Sequence, residues 1–93
     1  MTYVCFHNGK ATRAFWFGEV IHRRDDDMWV EVVSPSTRYS PERRHGMIIP
    51  ASRVIAEGDR DKMEMAALKG NMLREPRASM DAATQAAKLS AEG

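Results

Sequence analysis

The residues with the most chemical potential gather between positions 38 and 53. Arg38, Arg43, Arg44 and Arg53 stand there against Glu42 alone, with Tyr39 and His45 among them. Guanidinium forks match phosphate and carboxylate geometry, and a tyrosine ring can stack on a base. Arg38, Tyr39, Arg43, Arg44, His45 and Arg53 are therefore read as a nucleic-acid-binding set, with a merely solubilising loop as the plainer alternative. Cys5 and His7 share a strand face, and His22 could lie across a hairpin from them. Their spacing matches no zinc pattern, and a fourth ligand would have to come from His45 or an aspartate. Asp25, Asp26 and Asp27 carry oxygen ligands, but consecutive side chains on a turn diverge. The glycine and distal glutamate of a calcium loop are also missing. Neither group is expected to hold a metal, and no cofactor is expected. Glu19, Glu31 and the histidines are not spaced as an acid–base pair, and no nucleophile elbow, phosphate loop or dinucleotide fingerprint occurs. The expectation is a protein that binds rather than one that catalyses.

The elements that position these residues must come from a short chain. At 93 residues it has room for one small domain and an appendage. Such a domain buries only about 60% of the surface of its unfolded chain, so the core is thin. The composition, 43% hydrophobic and 29% charged, is that of a soluble globular protein, and the net charge of +1 neither demands nor excludes nucleic acid. Cys5 is the sole cysteine, which rules out a disulfide within the chain and fits a reducing compartment. Polar residues interrupt the N-terminus before a signal core could form, and no apolar run approaches the ~20 residues of a membrane helix. A cytoplasmic location without membrane contact is expected.

Residues 3–7 (YVCFH) alternate and are rich in β-formers, and Asn8-Gly9 is a strong hairpin signal. A second strand is expected over about 12–22. Both of its faces are apolar: Phe15, Phe17, Glu19 and Ile21 on one, Ala14, Trp16, Gly18, Val20 and His22 on the other. Either the strand bends at Gly18 and changes its inner face, the commoner solution in small barrels, or a helix or second subunit covers the outside. Residues 28–33 (MWVEVV) should form a strand with Met28, Val30 and Val32 inward and Trp29, Glu31 and Val33 outward. Residues 34–46 lack apolar periodicity and read as a long, charged loop. Residues 46–55 (GMIIPASRVI) read as strand, tight turn and closing strand, because Pro50 cannot sit in a central ladder.

Past Ile55 the pattern turns helical. Asp61 and Glu64 resemble a capping box, and Met65, Leu68 and Met72 form a stripe expected to pack on the barrel. Gly70 should weaken or end this helix, and Pro76 stops it. Ser79 is expected to cap a final alanine-rich helix through about Ala91. The division expected is a β-barrel over 1–57 and a helical extension over 58–93.

Within 46–54, Pro50, Ser52 and Val54 follow one another as in the closing segment of Src-homology-3-like barrels, and Trp29 opens a strand much as a tryptophan opens the third strand there. The chain thus resembles that fold over roughly 12–56. The resemblance implies a mainly β, small Src-homology-3-like barrel, here with a C-terminal helical extension. It does not imply recognition of proline-rich peptides. Arg53 stands where the peptide-binding members carry tyrosine, an extra apolar residue separates Gly46 from Pro50, and their acidic-aromatic loop has no counterpart. Such barrels also serve as Tudor-like, KOW-like and plasmid or phage accessory modules, and fold alone does not choose among them.

The leading expectation is an accessory module that docks nucleic acid or a nucleoprotein complex through the arginine-rich loop. The runner-up is a protein-interaction module, an adaptor or an inhibitor of a host or defence complex. It would use Trp16, Trp29, Met65, Leu68 and Met72, with a homodimer through the helical extension as one form. One tryptophan is expected in the core, and an outward one would mark a binding surface.

Overall fold

Runs of β-branched and aromatic residues set the strands, and turn-forming residues separate them. In the computed structural model, which describes residues 1–8 and 14–73, these are β1 (Tyr3–His7), β2 (Phe15–Arg23), β3 (Asp27–Ser34), β4 (Arg43–Pro50) and β5 (Val54–Gly58). A 3-10 turn (Ala51–Arg53) joins β4 to β5, and one helix, α1 (Arg60–Leu73), follows. All pairings are antiparallel, in the order β4-β3-β2-β1-β5. The fold is mainly β with a C-terminal helix, as the sequence implied, and the proline-ended strand, single turn and closing strand fall where expected. The sheet curls so that Val54 of β5 packs against the same inner cluster that holds Met28 of β3 and Ile49 of β4, yet β4 and β5 remain its two edges. The predicted hairpin turn after Asn8 and the predicted helix from Ser79 to Ala91 lie outside the described residues.

The sheet carries a core on each side. Val4, Phe6, Met28, Val30, Val32 and Ile49 fill the inside of the curl, with Trp16, Val20, Met47 and Val54 packed against them. Tyr3, Cys5, Ala14, Phe15, Phe17 and Val33 form the outer layer, which Met63, Ala66 and Ala67 of α1 cover. The two apolar faces of β2 are thereby explained, and the expected bend is not the reason. Phe15 and Phe17 lie on the α1 side while Trp16 and Val20 lie inside, with no change of face at Gly18. The helix is the cover. Gly18 serves a close approach instead: a Cβ there would sit 2.5 Å from the Glu31 carbonyl oxygen and 2.5 Å from a Val30 methyl. The irregularity in β2 comes later, as a bulge between Val20 and His22. Val33, expected outward, does face away from the inside of the curl but is buried with the α1 cluster.

Helix α1 departs from the sequence reading in its N-terminal cap and in its packed face. Its first turn is capped by Asp59, whose carboxylate accepts the Lys62 amide at 2.8 Å, rather than by an Asp61–Glu64 box. Because β5 runs to Gly58, the helix can begin at Arg60. Met63, Ala66, Ala67 and Gly70 face the sheet, while Met65, Leu68 and Met72, expected to pack there, are exposed. Three small residues, Ala66, Ala67 and Gly70, let the helix lie close to a sheet already crowded by Phe15 and Phe17, and among the described residues Met63 is the one large side chain of α1 buried in that layer. The helix runs through buried Gly70 to Asn71, whose side chain takes the place of a neighbouring strand. Asn71 Oδ1 accepts the Phe15 amide at 3.1 Å, and its Nδ2 donates to the Phe15 carbonyl at 3.0 Å.

Replacing Asn71 with alanine strips both partners from a part-buried peptide unit. Asn71→Ala should lower the unfolding free energy by about 1–3 kcal/mol in urea titration, with the far-ultraviolet spectrum of the native state unchanged.

Candidate functional site

Two surface regions gather the residues singled out from the sequence. The first is built on the β3–β4 connection. The ladder between β3 and β4 pairs Val32 with His45, Val33 with Arg44 and Ser34 with Arg43, so the loop is residues 35–42 and not 34–46. Arg43, Arg44 and His45 are strand residues, because Val32 and Val33 extend a partner strand far enough to pair them. The loop is itself braced. Thr37 Oγ1 accepts the amides of Tyr39 at 3.2 Å and Ser40 at 3.1 Å, and the Thr37 amide donates to the Ser40 carbonyl at 2.8 Å. This turn holds Arg38 and Tyr39 at its tip, with Tyr39 89% exposed.

Strand alternation then separates the arginines. Arg43 and His45 share the face of Met47 and Ile49, toward the mouth of the curl. There the His45 ring meets Trp16 edge-on at 5.9 Å, and Trp16 meets Phe6 at 6.4 Å, so Trp16 is the core tryptophan, half-buried at the mouth. Arg44 points to the opposite face and into carboxylates. It reaches Glu19 at 3.0 Å, Glu31 at 3.5 Å, Glu42 at 3.5 Å and the Tyr3 hydroxyl at 3.2 Å. Glu42 is also gripped by Arg60 of α1, and Arg60 reaches Glu64 at 3.7 Å. The Tyr3 hydroxyl and Glu19 hold the Arg44 guanidinium above the usual arginine range, while Arg60 pulls the Glu42 carboxyl below its usual one. Arg44 thus ties β2, β3 and β4 together. Arg53 lies in the 3-10 turn beyond Pro50, about 23 Å of strand from Arg43. Of the six residues, the structure brings Arg38, Tyr39, Arg43 and His45 to one end. Among the described residues, no carboxylate pairs with Arg38 or Arg43.

The second region lies on the outer face of β3 and β4, beyond the reach of α1. Trp29 sits over Gly46, where a Cβ would come within 2.9 Å of the indole nitrogen. Trp29 is paired with Ile48, and the β2 bulge sets Ile21 and His22 opposite it. Ile21, Trp29 and Ile48 are each 51% exposed. Sequence reasoning named Trp29 but missed Ile48 and Ile21. The alternation Arg44, Gly46, Ile48 would have revealed the first once residues 43–46 were read as strand. Met65, Leu68 and Met72 form a separate exposed stripe on α1.

The possible metal residues are dispersed. Cys5 pairs with Phe17, five positions from His22, and is wholly buried, while His7 lies edge-on to Phe15 at 5.3 Å. Burial pushes the Cys5 thiol up to about 12. Asp25 and Asp26 are exposed at the β2–β3 turn, where Arg24 takes Asp27 at 2.8 Å. Among the described residues no helix is long and apolar enough to cross a membrane. Comparison with known proteins supplies no template: no family model, no curated protein and no solved structure matches the chain.

Arg44→Ala should cost about 1–2 kcal/mol of stability, because Glu19 and the Tyr3 hydroxyl lose their donor while water screens the outer arms; equilibrium urea unfolding measures it. For Cys5 the unfolded thiol ionises near its ordinary value of 9.0 and the folded one near 12. The unfolded state therefore binds fewer protons between these values, and stability should fall as pH rises from about 9 to 12, by up to ~1.4 kcal/mol per pH unit. Cys5→Ser should flatten that slope in thermal unfolding followed across the alkaline range.

Proposed function

We propose that this chain is a non-enzymatic binding module that docks nucleic acid, or a nucleoprotein complex, through the end of the barrel carrying Arg38, Tyr39, Arg43 and His45. The observation that supports the reading is the division of labour among the arginines. Glu19, Glu31 and Glu42 are engaged by Arg44 and Arg60, which leaves Arg38 and Arg43 without a carboxylate partner among the described residues, beside an exposed tyrosine on a braced turn. Unneutralised guanidinium groups next to aromatic rings are the ingredients of a single-strand platform, where cations follow the phosphates and rings stack on bases. Holding the tip in place beforehand lowers the ordering cost of binding. Arg44 and Arg53 drop out of the proposed set, the first because it is committed to the fold and the second because of its distance.

Fluorescence anisotropy with labelled single-stranded DNA, RNA and duplex tests this. Binding should weaken with salt with a logarithmic slope of about −1.4 on single strands, as expected for the two phosphates reached by Arg38 and Arg43. Tyr39→Ala should weaken it about tenfold by loss of stacking, and Arg53→Ala should leave it within about twofold. Absence of binding to all three ligands at low salt would sink the reading.

A second reading rests on the half-exposed Ile21, Trp29 and Ile48 and on the Met65, Leu68 and Met72 stripe. Clustered apolar side chains of this kind suit a protein partner, as in an adaptor or an inhibitor of another complex.

A further inference from the structure

The free edge of β4 carries an inference of its own. β4 pairs with β3 through eight consecutive residues with no bulge, and no other strand flanks it among the described residues. Its outward amide and carbonyl groups are a template for another strand. Charges and Pro50 guard its two ends, but the middle, His45 to Ile49, carries none of the usual protection. The other sheet edge, β5, is shorter and interrupted by a bulge opposite β1. The outer face beside the β4 edge holds Trp29, Gly46 and Ile48, a large ring lying on a residue with no side chain and next to a half-exposed aliphatic one.

We propose that a second copy of this chain docks on the β4 edge, antiparallel, about a two-fold axis at Met47. In that register Met47 faces the partner's Met47 and Ile48 faces the partner's Gly46. Each Ile48 then lies against the indole of the partner's Trp29, and two half-exposed patches become one covered layer. Glycine at position 46 is what lets the Trp29 ring lie there, since a Cβ would come within 2.9 Å of the indole nitrogen. Pairing in an even register keeps the outer faces of both sheets on the same side, which a one-residue slip would not. The ends also match in charge. Arg43 comes beside the residue that follows the partner's Pro50, near the partner's exposed Asp26, whose carbonyl holds the Ala51 amide. The contact is isologous and closed, as two-fold interfaces are. An Arg43 that meets the partner's Asp26 is no longer open to a phosphate, so dimer and nucleic acid would compete for that residue, and it is kept out of the test.

Sedimentation equilibrium and light scattering on the full chain, up to ~1 mM so that weak association is populated, should give twice the 10.5 kDa chain mass. Ile48→Lys, at an exposed position, should raise the dimer dissociation constant at least about tenfold with native circular dichroism retained, while Leu68→Lys on α1 should leave it unchanged. Met47→Cys supplies an independent readout. Directly paired Cα atoms lie about 4.5–5.5 Å apart, a span that a disulfide bridges. Mild oxidation should therefore give a reducible covalent dimer, while buried Cys5 stays silent. A wild-type chain that is monomeric throughout, a dimer that survives Ile48→Lys, a dimer that Leu68→Lys breaks, or a Met47→Cys chain that does not cross-link would each overturn the proposal.

Discussion

The cover that α1 lays over the sheet is the constraint on which the rest of the molecule depends. A five-stranded sheet with apolar residues on both faces cannot stand in water with one side bare. The inside of the curl takes Val4, Phe6, Val30 and Ile49, and the outside needs Met63, Ala66 and Ala67. The alanines set the helix close, and Asn71 completes the hydrogen bonding of Phe15 that no strand satisfies. The helix belongs to the same core as the strands, and without it the sheet would leave Tyr3, Cys5, Phe15 and Phe17 exposed.

The charged residues divide along the same line. On the α1 side, Arg44 and Arg60 draw Glu19, Glu31, Glu42 and Glu64 into a chain that runs from β2 through β4 to the first turn of the helix. Exposed pairs of this sort contribute little singly and more as a network, and here the network pins the start of α1 to the end of the β3–β4 loop. Toward the mouth, His45 meets the Trp16 ring, and Arg43 has no carboxylate partner among the described residues. One residue of strand register therefore decides which guanidinium holds the fold and which faces outward.

Much of the fold was legible because the strands carry strong local signals. The β-branched run at residues 28–33, the proline-ended segment and the change of period after Ile55 each fixed an element. The errors came where tertiary contact overrode local pattern. Residues 43–46 look like loop because arginine, histidine and glycine carry no apolar alternation, yet Val32 and Val33 give them a partner strand. The stripe Met65, Leu68 and Met72 is the more hydrophobic face of α1, but space over Phe15 and Phe17 selects the alanine face. For the candidate site, residue types were readable and their grouping was not. Nothing local to Arg44 announces Glu19, which lies 25 positions away.

The contact between Phe15 and Asn71 spans 56 positions of chain. A link of that length must close a large loop before it gives anything back, and topologies rich in such links fold slowly. Wherever α1 is undocked, the outer side of β1 and β2 is bare, and the apolar side chains of Cys5, Phe15 and Phe17 meet water. The last of the described elements therefore shields the first two strands, and a change that loosens α1 uncovers a surface at the opposite end of the chain.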